Sequence, residues 1–411
     1  MWVTRSFMAL SLDCCWGIVW SGHCVPGCGE RRVPLRLLWV FVAISLLTAC
    51  TVTDARLVAR AIDSRDISTL TDVKADQYIR NPRVLVRDIK TITELLDQLK
   101  SQAQNTWGRE GTDLPTSTTY VKYTGGYNSK ATIDFLNGRI TVETIAKEHS
   151  LGELKHALVA TLLATDDPSS TDIFSDRDPE LTGKPFLLGQ VVDQDGKAIQ
   201  FEWRAKRFAD YLIENHRTYV KASGPNRHSV TFPLVTNHNE LRKIKYSSPV
   251  LAAAARYQVA PSLIFAIIET ESSFNPFAIS AANAYGLMQI IPSTAGKDVY
   301  SRVKGLKGQP AADVLFDVEA NIDIGAAYLH LLDDVYLKSV ADPQGREYAT
   351  ISAYNGGAGN VFRTFGSNRE KAIASMNAQS PSVVYERLAN EHPREETQRY
   401  LRKVLAYRKN Y

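Results

Sequence analysis

Beyond residue 50 the chain of 411 residues has no cysteine at all, its five being Cys14, Cys15, Cys24, Cys28 and Cys50. A mature domain downstream therefore holds neither an internal disulfide nor a cysteine-based metal centre. The eight histidines lack HExxH or comparable ligand spacing, so no metal and no cofactor is implied. An excess of one charge is missing too: 48 basic against 44 acidic side chains leave +4. That is too little for a nucleic-acid footprint, although it suits an anionic wall or lipid surface. No repeat or low-complexity tract occurs, no Ser/His/Asp order is supported, and Gly356-Gly357-Ala358-Gly359 does not follow a strand as a phosphate loop would. The apolar run near the N-terminus, Leu37 to Ala49, has thirteen residues, where a membrane span needs about 20. What is present is ordinary globular chain, 44% hydrophobic and 22% charged, long enough for two or three domains after a targeting segment.

That apolar run follows Arg31, Arg32 and Arg36, the arrangement of a signal peptide. It ends in Leu47-Thr48-Ala49-Cys50, which resembles a bacterial lipobox. The resemblance implies that Cys50 is lipidated and becomes the first residue of the mature chain. Acyl chains contribute about 0.8 kcal/mol per buried methylene, enough for a stable anchor when several share one cysteine. Thr51, rather than Asp, favours the periplasmic face of the outer membrane as the location. The alternative is an ordinary cleaved secretory signal. Residues 1–49 thus read as leader, with 1–32 long enough to suggest a true start near Val33.

Residues 50–75 are polar and read as a tether. Residues 76–228 read as an α+β domain with an antiparallel sheet. Ile89, Ile92, Leu95, Leu96 and Leu99 have the spacing of an amphipathic helix; Tyr120–Tyr123, Ala131–Leu136 and Arg139–Ile145 read as strands, the last two joined by Asn137-Gly138. Leu151–Leu163 returns to a helical pattern, a second hairpin is expected from Leu188–Val192 and Ile199–Trp203, and Arg204–His216 is again helical. The polar stretch Ser223-Gly224-Pro225-Asn226 is the expected boundary, after which residues 229–411 read as a mainly helical domain.

Within that second domain Pro261 suits a first helical turn, and Asn275-Pro276 is a natural stop. Ile264, Ile267 and Ile268 form one apolar stripe, and its continuation lands on Glu271 and Ser272. A carboxylate ending an apolar stripe is anomalous: desolvation and the negative end of the helix dipole both favour its protonated form, the form a general acid needs. Glu269 falls about 200° away around the helix, on a face expected to be solvated. The segment alone is equally compatible with an ion-paired helix-end glutamate.

Glu271-Ser272-Ser273-Phe274-Asn275-Pro276, then Ser280, Gly286-Leu287-Met288-Gln289, Pro292 and Thr294-Ala295 are followed by Asn321-Ile322-Asp323-Ile324-Gly325, Tyr328-Leu329, Ala353-Tyr354-Asn355-Gly356-Gly357, and Glu396-Thr397 with Tyr400. In order and spacing these blocks, over residues 240–405, resemble the soluble-lytic-transglycosylase family of lysozyme-like domains. The resemblance implies peptidoglycan glycan strands as substrate and Glu271 as a single catalytic acid/base group. Ser272, Ser280, Gln289, Tyr354, Asn355, Glu396 and Tyr400 are then the substrate-binding candidates, with Glu396 and Tyr400 four apart on one helix face. Asp298, Asp313 or Asp317 could approach Glu271 as a second carboxylate, in which case a lysozyme-type hydrolase is the rival; a noncatalytic wall-binding lipoprotein is the other. Arg399, Arg402, Lys403, Arg408 and Lys409 read most simply as a solvated helix face.

Overall fold

The computed structural model describes residues 82–411 apart from 167, 169–171, 222 and 223, with side chains described from residue 94 onward. The leader, Cys50 and the polar tether lie outside the described residues. The first element among the described residues is the helix α1 (Pro82–Gly111), interrupted at Gly108, whose φ of 71° takes it out of the helical region. A five-stranded antiparallel sheet follows, built from β1 (Thr119–Thr124), β2 (Ser129–Asp134), β3 (Arg139–Thr144), β4 (Arg217–Val220) and β5 (Arg227–Pro233), in the order β1-β2-β3-β5-β4.

Alternation along β1 divides its side chains between two layers. Val121 and Tyr123 pack with Leu99, Ala103 and Trp107 of α1 in a small core of their own. Tyr120 instead joins the large core, together with Leu154, Leu158 and Leu162 of α2 (Ser150–Leu163) and Phe208 and Leu212 of α3 (Glu202–His216). The sheet is therefore covered on both faces. Lys130, buried between the layers, is paired with Asp113 at 2.6 Å and Glu143 at 3.1 Å, which offsets the cost of removing it from water.

Two readings of this region change. The expected hairpin of Leu188–Val192 with Ile199–Trp203 makes only isolated bridges, and its last two residues, Glu202 and Trp203, already belong to α3. Asp193 explains this, because its carboxylate accepts from the backbone N–H groups of Asp195 and Lys197 at 3.0 and 2.9 Å and so closes a turn rather than extending a strand. The polar stretch expected as a boundary connects β4 to β5, and the sheet continues to Pro233.

From His238 the chain is helical: α4 (His238–Lys245), α5 (Ser247–Tyr257), α6 (Pro261–Ser272), α7 (Lys297–Arg302), α8 (Ala312–Phe316), α9 (Val318–Leu331), α10 (Pro343–Gly356), α11 (Ala358–Phe365), α12 (Arg369–Asn377), α13 (Pro381–Asn390) and α14 (Glu395–Arg408). The fold is thus an α+β part with an antiparallel sheet followed by a mainly helical part. One contiguous core joins them, running from Tyr120 to Val404. At the junction Phe277 meets Tyr120 and Phe186 with ring centroids 5.0 and 5.5 Å apart, and Asn275 donates to the Ser117 carbonyl at 3.2 Å. Buried Arg242 of α4 reaches back to the Gln190 side-chain oxygen at 3.0 Å and the Phe135 carbonyl at 3.3 Å.

Candidate active site

α6 carries Glu271. Leu263 through Thr270 are all buried, so an apolar sequence wraps its entire circumference rather than one stripe. Pro261 begins it, and Ser273 (φ 49°) and Phe274 (φ 61°) end it by turning the chain into the left-handed region. Glu271 sits in the last turn, half-buried, and accepts a hydrogen bond from the Tyr400 hydroxyl of α14 at 2.8 Å. Burial pushes its pKa up to about 7; the Tyr400 hydrogen bond and the Lys403 charge pull down, and Glu396 adds a further upward push. A carboxyl group with that affinity can both give and take a proton near neutrality.

Around it four segments are fastened into a ring. The Tyr400 bond ties α6 to α14, and on α14 the Thr397 hydroxyl donates to Asn355 Oδ1 of α10 at 2.6 Å. On α10 the Tyr354 hydroxyl donates to the Met288 carbonyl at 2.8 Å, which ties that helix to the Ser280–Ile290 loop. The Ser272 hydroxyl closes the ring, bonding the Leu287 carbonyl at 2.8 Å and the Ile268 carbonyl at 3.0 Å. Close approach requires glycine at two points: a Cβ on Gly286, whose φ is 71°, would stand 2.3 Å from the Leu315 carbonyl oxygen, and one on Gly356 would stand 2.7 Å from Thr397 Oγ1. Asn321 fills the space under Gly286, accepting from the Met288 N–H and donating to the Tyr285 and Leu315 carbonyls, all at 2.8 Å.

This geometry sorts the residues singled out from sequence. Ser280, Gln289, Tyr354 and Asn355 are, like Glu271, partly exposed. Ser280 Oγ accepts from the N–H groups of Ala282 and Ala284, both at 3.2 Å, which leaves its O–H as a donor. Gln289 commits its amide nitrogen to the Ala278 and Gly286 carbonyls at 3.2 and 3.0 Å and keeps Oε1 as an acceptor. Asn355 keeps its amide N–H groups. The Tyr354 ring tilts against Tyr328 at 5.5 Å, and Glu271 helps raise the Tyr354 pKa, so the two lie within electrostatic reach. Glu396 is exposed and paired with Arg394 at 3.1 Å.

Ser272 was expected to bind substrate, but it is 0% exposed and its hydroxyl is spent on two backbone carbonyls, so it is a fastener. Tyr400 was placed with the substrate contacts; it is 7% exposed, and its hydroxyl is committed to Glu271 itself. Glu269, expected to be solvated, is 8% exposed and accepts from the Tyr411 hydroxyl at 2.7 Å, because the C-terminal turn packs over that face of α6. The basic residues of α14 are not a plain solvated face either. Lys403 donates to the Thr270 carbonyl at 3.3 Å, Arg402 to Asn390 Oδ1 at 2.7 Å, and Arg408 pairs with Glu347.

The three aspartates considered as second carboxylates have other duties. Asp298 accepts from the Tyr336 hydroxyl at 3.0 Å, Asp317 caps α9 through the Ala320 N–H at 2.7 Å, and Asp313 lies in the first turn of α8. None is among the groups that perturb Glu271, where the acid that acts is Glu396.

A mainly helical part built around one carboxyl group held near neutrality is the arrangement of an acid/base enzyme. Residues 85–245 match the model of the N-terminal domain of membrane-bound lytic murein transglycosylase C, and residues 248–377 match that of the transglycosylase SLT domain. The membrane-bound lytic murein transglycosylases C of Yersinia pestis (strain Pestoides F) and Yersinia pseudotuberculosis serotype O:1b (strain IP 31758) are each 45% identical over 330 residues, covering 80% of this chain and 92% of theirs. The chain belongs to the membrane-bound lytic murein transglycosylase C family. Among solved structures, an inactive mutant of the lytic transglycosylase Slt from Pseudomonas aeruginosa is 28% identical (39% of this chain, 23% of that one, TM-score 0.31). The 70 kDa soluble lytic transglycosylase of Escherichia coli is 26% identical (40% and 23%, TM-score 0.31). This chain spans about a quarter of those proteins. Tyr400 and Lys403, which act on Glu271, lie past the end of the SLT match.

Proposed function

We propose that this protein cleaves the β-1,4 bond between N-acetylmuramic acid and N-acetylglucosamine in peptidoglycan without water, leaving 1,6-anhydro ends, with Glu271 as its one acid/base group. The observation that carries this reading is the seat of Glu271: a carboxyl with a neutral tyrosine donor and a pKa raised to about 7 that keeps part of its surface open to a substrate. In the first step Glu271 gives its proton to the glycosidic oxygen as the C1–O bond breaks and its electron pair passes to that oxygen. In the second the muramoyl C6 hydroxyl bonds to C1 and its proton returns to the Glu271 carboxylate. The group ends as it began, so one carboxyl serves both steps, whereas most glycosidases use two. Ser280, Gln289, Tyr354 and Asn355 would hold the sugars through the donors and acceptors left to them, and exposed Glu396 would meet the peptide or sugar portion.

The test is digestion of purified sacculi by the protein lacking residues 1–50, with product masses compared between the parent and Glu271→Gln. Anhydro-muropeptides from the parent and none from the variant are expected. Reducing muramic acid ends would replace the lyase by a hydrolase, and binding without release would leave a wall-binding protein. The relatives are named membrane-bound, and the Leu47–Cys50 motif supports lipidation of Cys50 and attachment at the periplasmic face of the outer membrane. Cys50→Ala should then move the full-length protein out of the membrane fraction.

A further inference from the structure

The last carbonyls of a helix have no partner within it, and the negative end of its dipole gathers there. At the end of α6 that place is taken by Lys403, whose Nζ donates at 3.3 Å to the carbonyl of Thr270, the residue between Glu269 and Glu271. Lys403 lies three positions after Tyr400 on α14, so the face that brings the tyrosine hydroxyl to Glu271 brings an ammonium beside it. It is half-buried, and its ammonium stands 5.4 Å from the centroid of the Tyr407 ring. Burial disfavours its charge, and Glu271 and Glu269 act to restore it.

The charged and titratable groups of this neighbourhood are few. α6 supplies Glu269 and Glu271; α14 supplies Glu396, Tyr400, Lys403 and Tyr407; α10 supplies Tyr354; α4 supplies Glu240 and Arg242, which act on Glu269; and Tyr411 closes the far side. Lys403 is the cation of this set that acts on Glu271.

We propose that Lys403 is a positioning residue of the acid/base cycle, fixing a positive charge behind Glu271 that stabilises the carboxylate formed when the proton leaves for the glycosidic oxygen. The inference rests on Glu271 being that acid. Lys403 neither gains nor loses a proton in either step. Tyr400 and Tyr354 remain neutral, and the ammonium partly offsets the desolvation that would otherwise make Glu271 too reluctant a donor.

The experiment compares Lys403→Met, an unbranched side chain one atom shorter and without the charge, with Lys403→Arg, which keeps the charge, in the full-length protein acting on purified glycan strands. For a protonated acid, activity falls as pH rises through its pKa. In Lys403→Met that basic limb of kcat/KM should move up by about 0.5–1 unit, as loss of a partly screened opposite charge requires. kcat should fall about 5- to 20-fold while KM stays within about twofold, and Lys403→Arg should retain both limb and rate. An unchanged limb in Lys403→Met, or equal losses in both variants with the limb in place, would overturn the proposal in favour of a packing role. Direct NMR titration of the Glu271 carboxyl in labelled protein reads the same effect without turnover: an upward shift in Lys403→Met supports the proposal, and no shift overturns it. Activity surviving in Glu271→Gln would instead remove the reading beneath it.

Discussion

On one side of α6 the Tyr400 hydroxyl donates to Glu271 at 2.8 Å; about 200° around the same helix the Tyr411 hydroxyl donates to Glu269 at 2.7 Å. Both carboxyl groups are pushed toward the protonated form by burial, and Lys403 acts on both. They differ in what lies over them. Glu269 is covered: Tyr411 stacks on Phe265 with centroids 5.2 Å apart, Lys243 lies 4.5 Å over the Tyr411 ring, and Arg242 acts from α4. Glu271 keeps part of its surface, as does Tyr354, which lies within its electrostatic reach. A perturbed carboxyl with a tyrosine donor is therefore not by itself a catalytic signature. Access decides which of the pair can reach a substrate.

The most severe way to break this comparison is to neutralise each acid in turn. Glu271→Gln should lower muropeptide release by about 10³-fold or more, at the upper range of what acid/base catalysis supplies. Glu269→Gln should leave the rate within several-fold, and an equal collapse would show that access was the wrong criterion. A second test uses stability. A carboxyl whose pKa rises from 4.5 unfolded to about 7 folded favours folding only while protonated, so its contribution is full below pH 4.5 and is lost as pH climbs through 7. The full shift corresponds to about 3 kcal/mol as an upper bound. Glu271→Gln should therefore raise the melting temperature at pH 8 and leave it nearly unchanged at pH 4, a difference that thermal denaturation at the two values would read.

How much of this was legible in the sequence varies with what burial does to each pattern. The three strands β1 to β3 and the helices around them follow from alternation and periodicity. β4 does not, because Arg217–Tyr219 are exposed and give no alternating pattern. Val191 and Ile199 belong to apolar segments that read as strands, and both are buried, yet the chain between them is held in a turn by Asp193. On α6 the stripe argument pointed to Glu271 but gave the wrong environment for Glu269, since helical phase carries no information about a C-terminal turn 142 residues away in sequence. Ser272 and Tyr400 had the right neighbourhood and the wrong duty: which hydroxyl is spent on the backbone, on Glu271 or on substrate depends on distances of a few tenths of an ångström. Lys403 was hidden in a basic run that resembles any solvated helix face.

The smallest expected effects come from the tyrosines, and they sharpen the comparison most finely. Each hydroxyl makes one bond to a carboxyl group, worth about 1 kcal/mol when the acceptor is neutral and about 1.5–3 kcal/mol when it is charged. Tyr411→Phe should cost stability of about 1 kcal/mol and leave kcat/KM and its pH dependence unchanged, because the bond locks a covered acid. Tyr400→Phe should cost similar stability, but it also removes the largest influence that draws the Glu271 pKa downward. Its basic limb should therefore move to higher pH, and the rate at the optimum should fall by about tenfold as the acid becomes a weaker donor. Melting curves and pH–rate profiles for the two variants separate these outcomes. If both shift the profile alike, the two sides of α6 are coupled through Lys403 more strongly than their separate tyrosines suggest; if neither does, the Tyr400 bond orients Glu271 without setting its proton affinity.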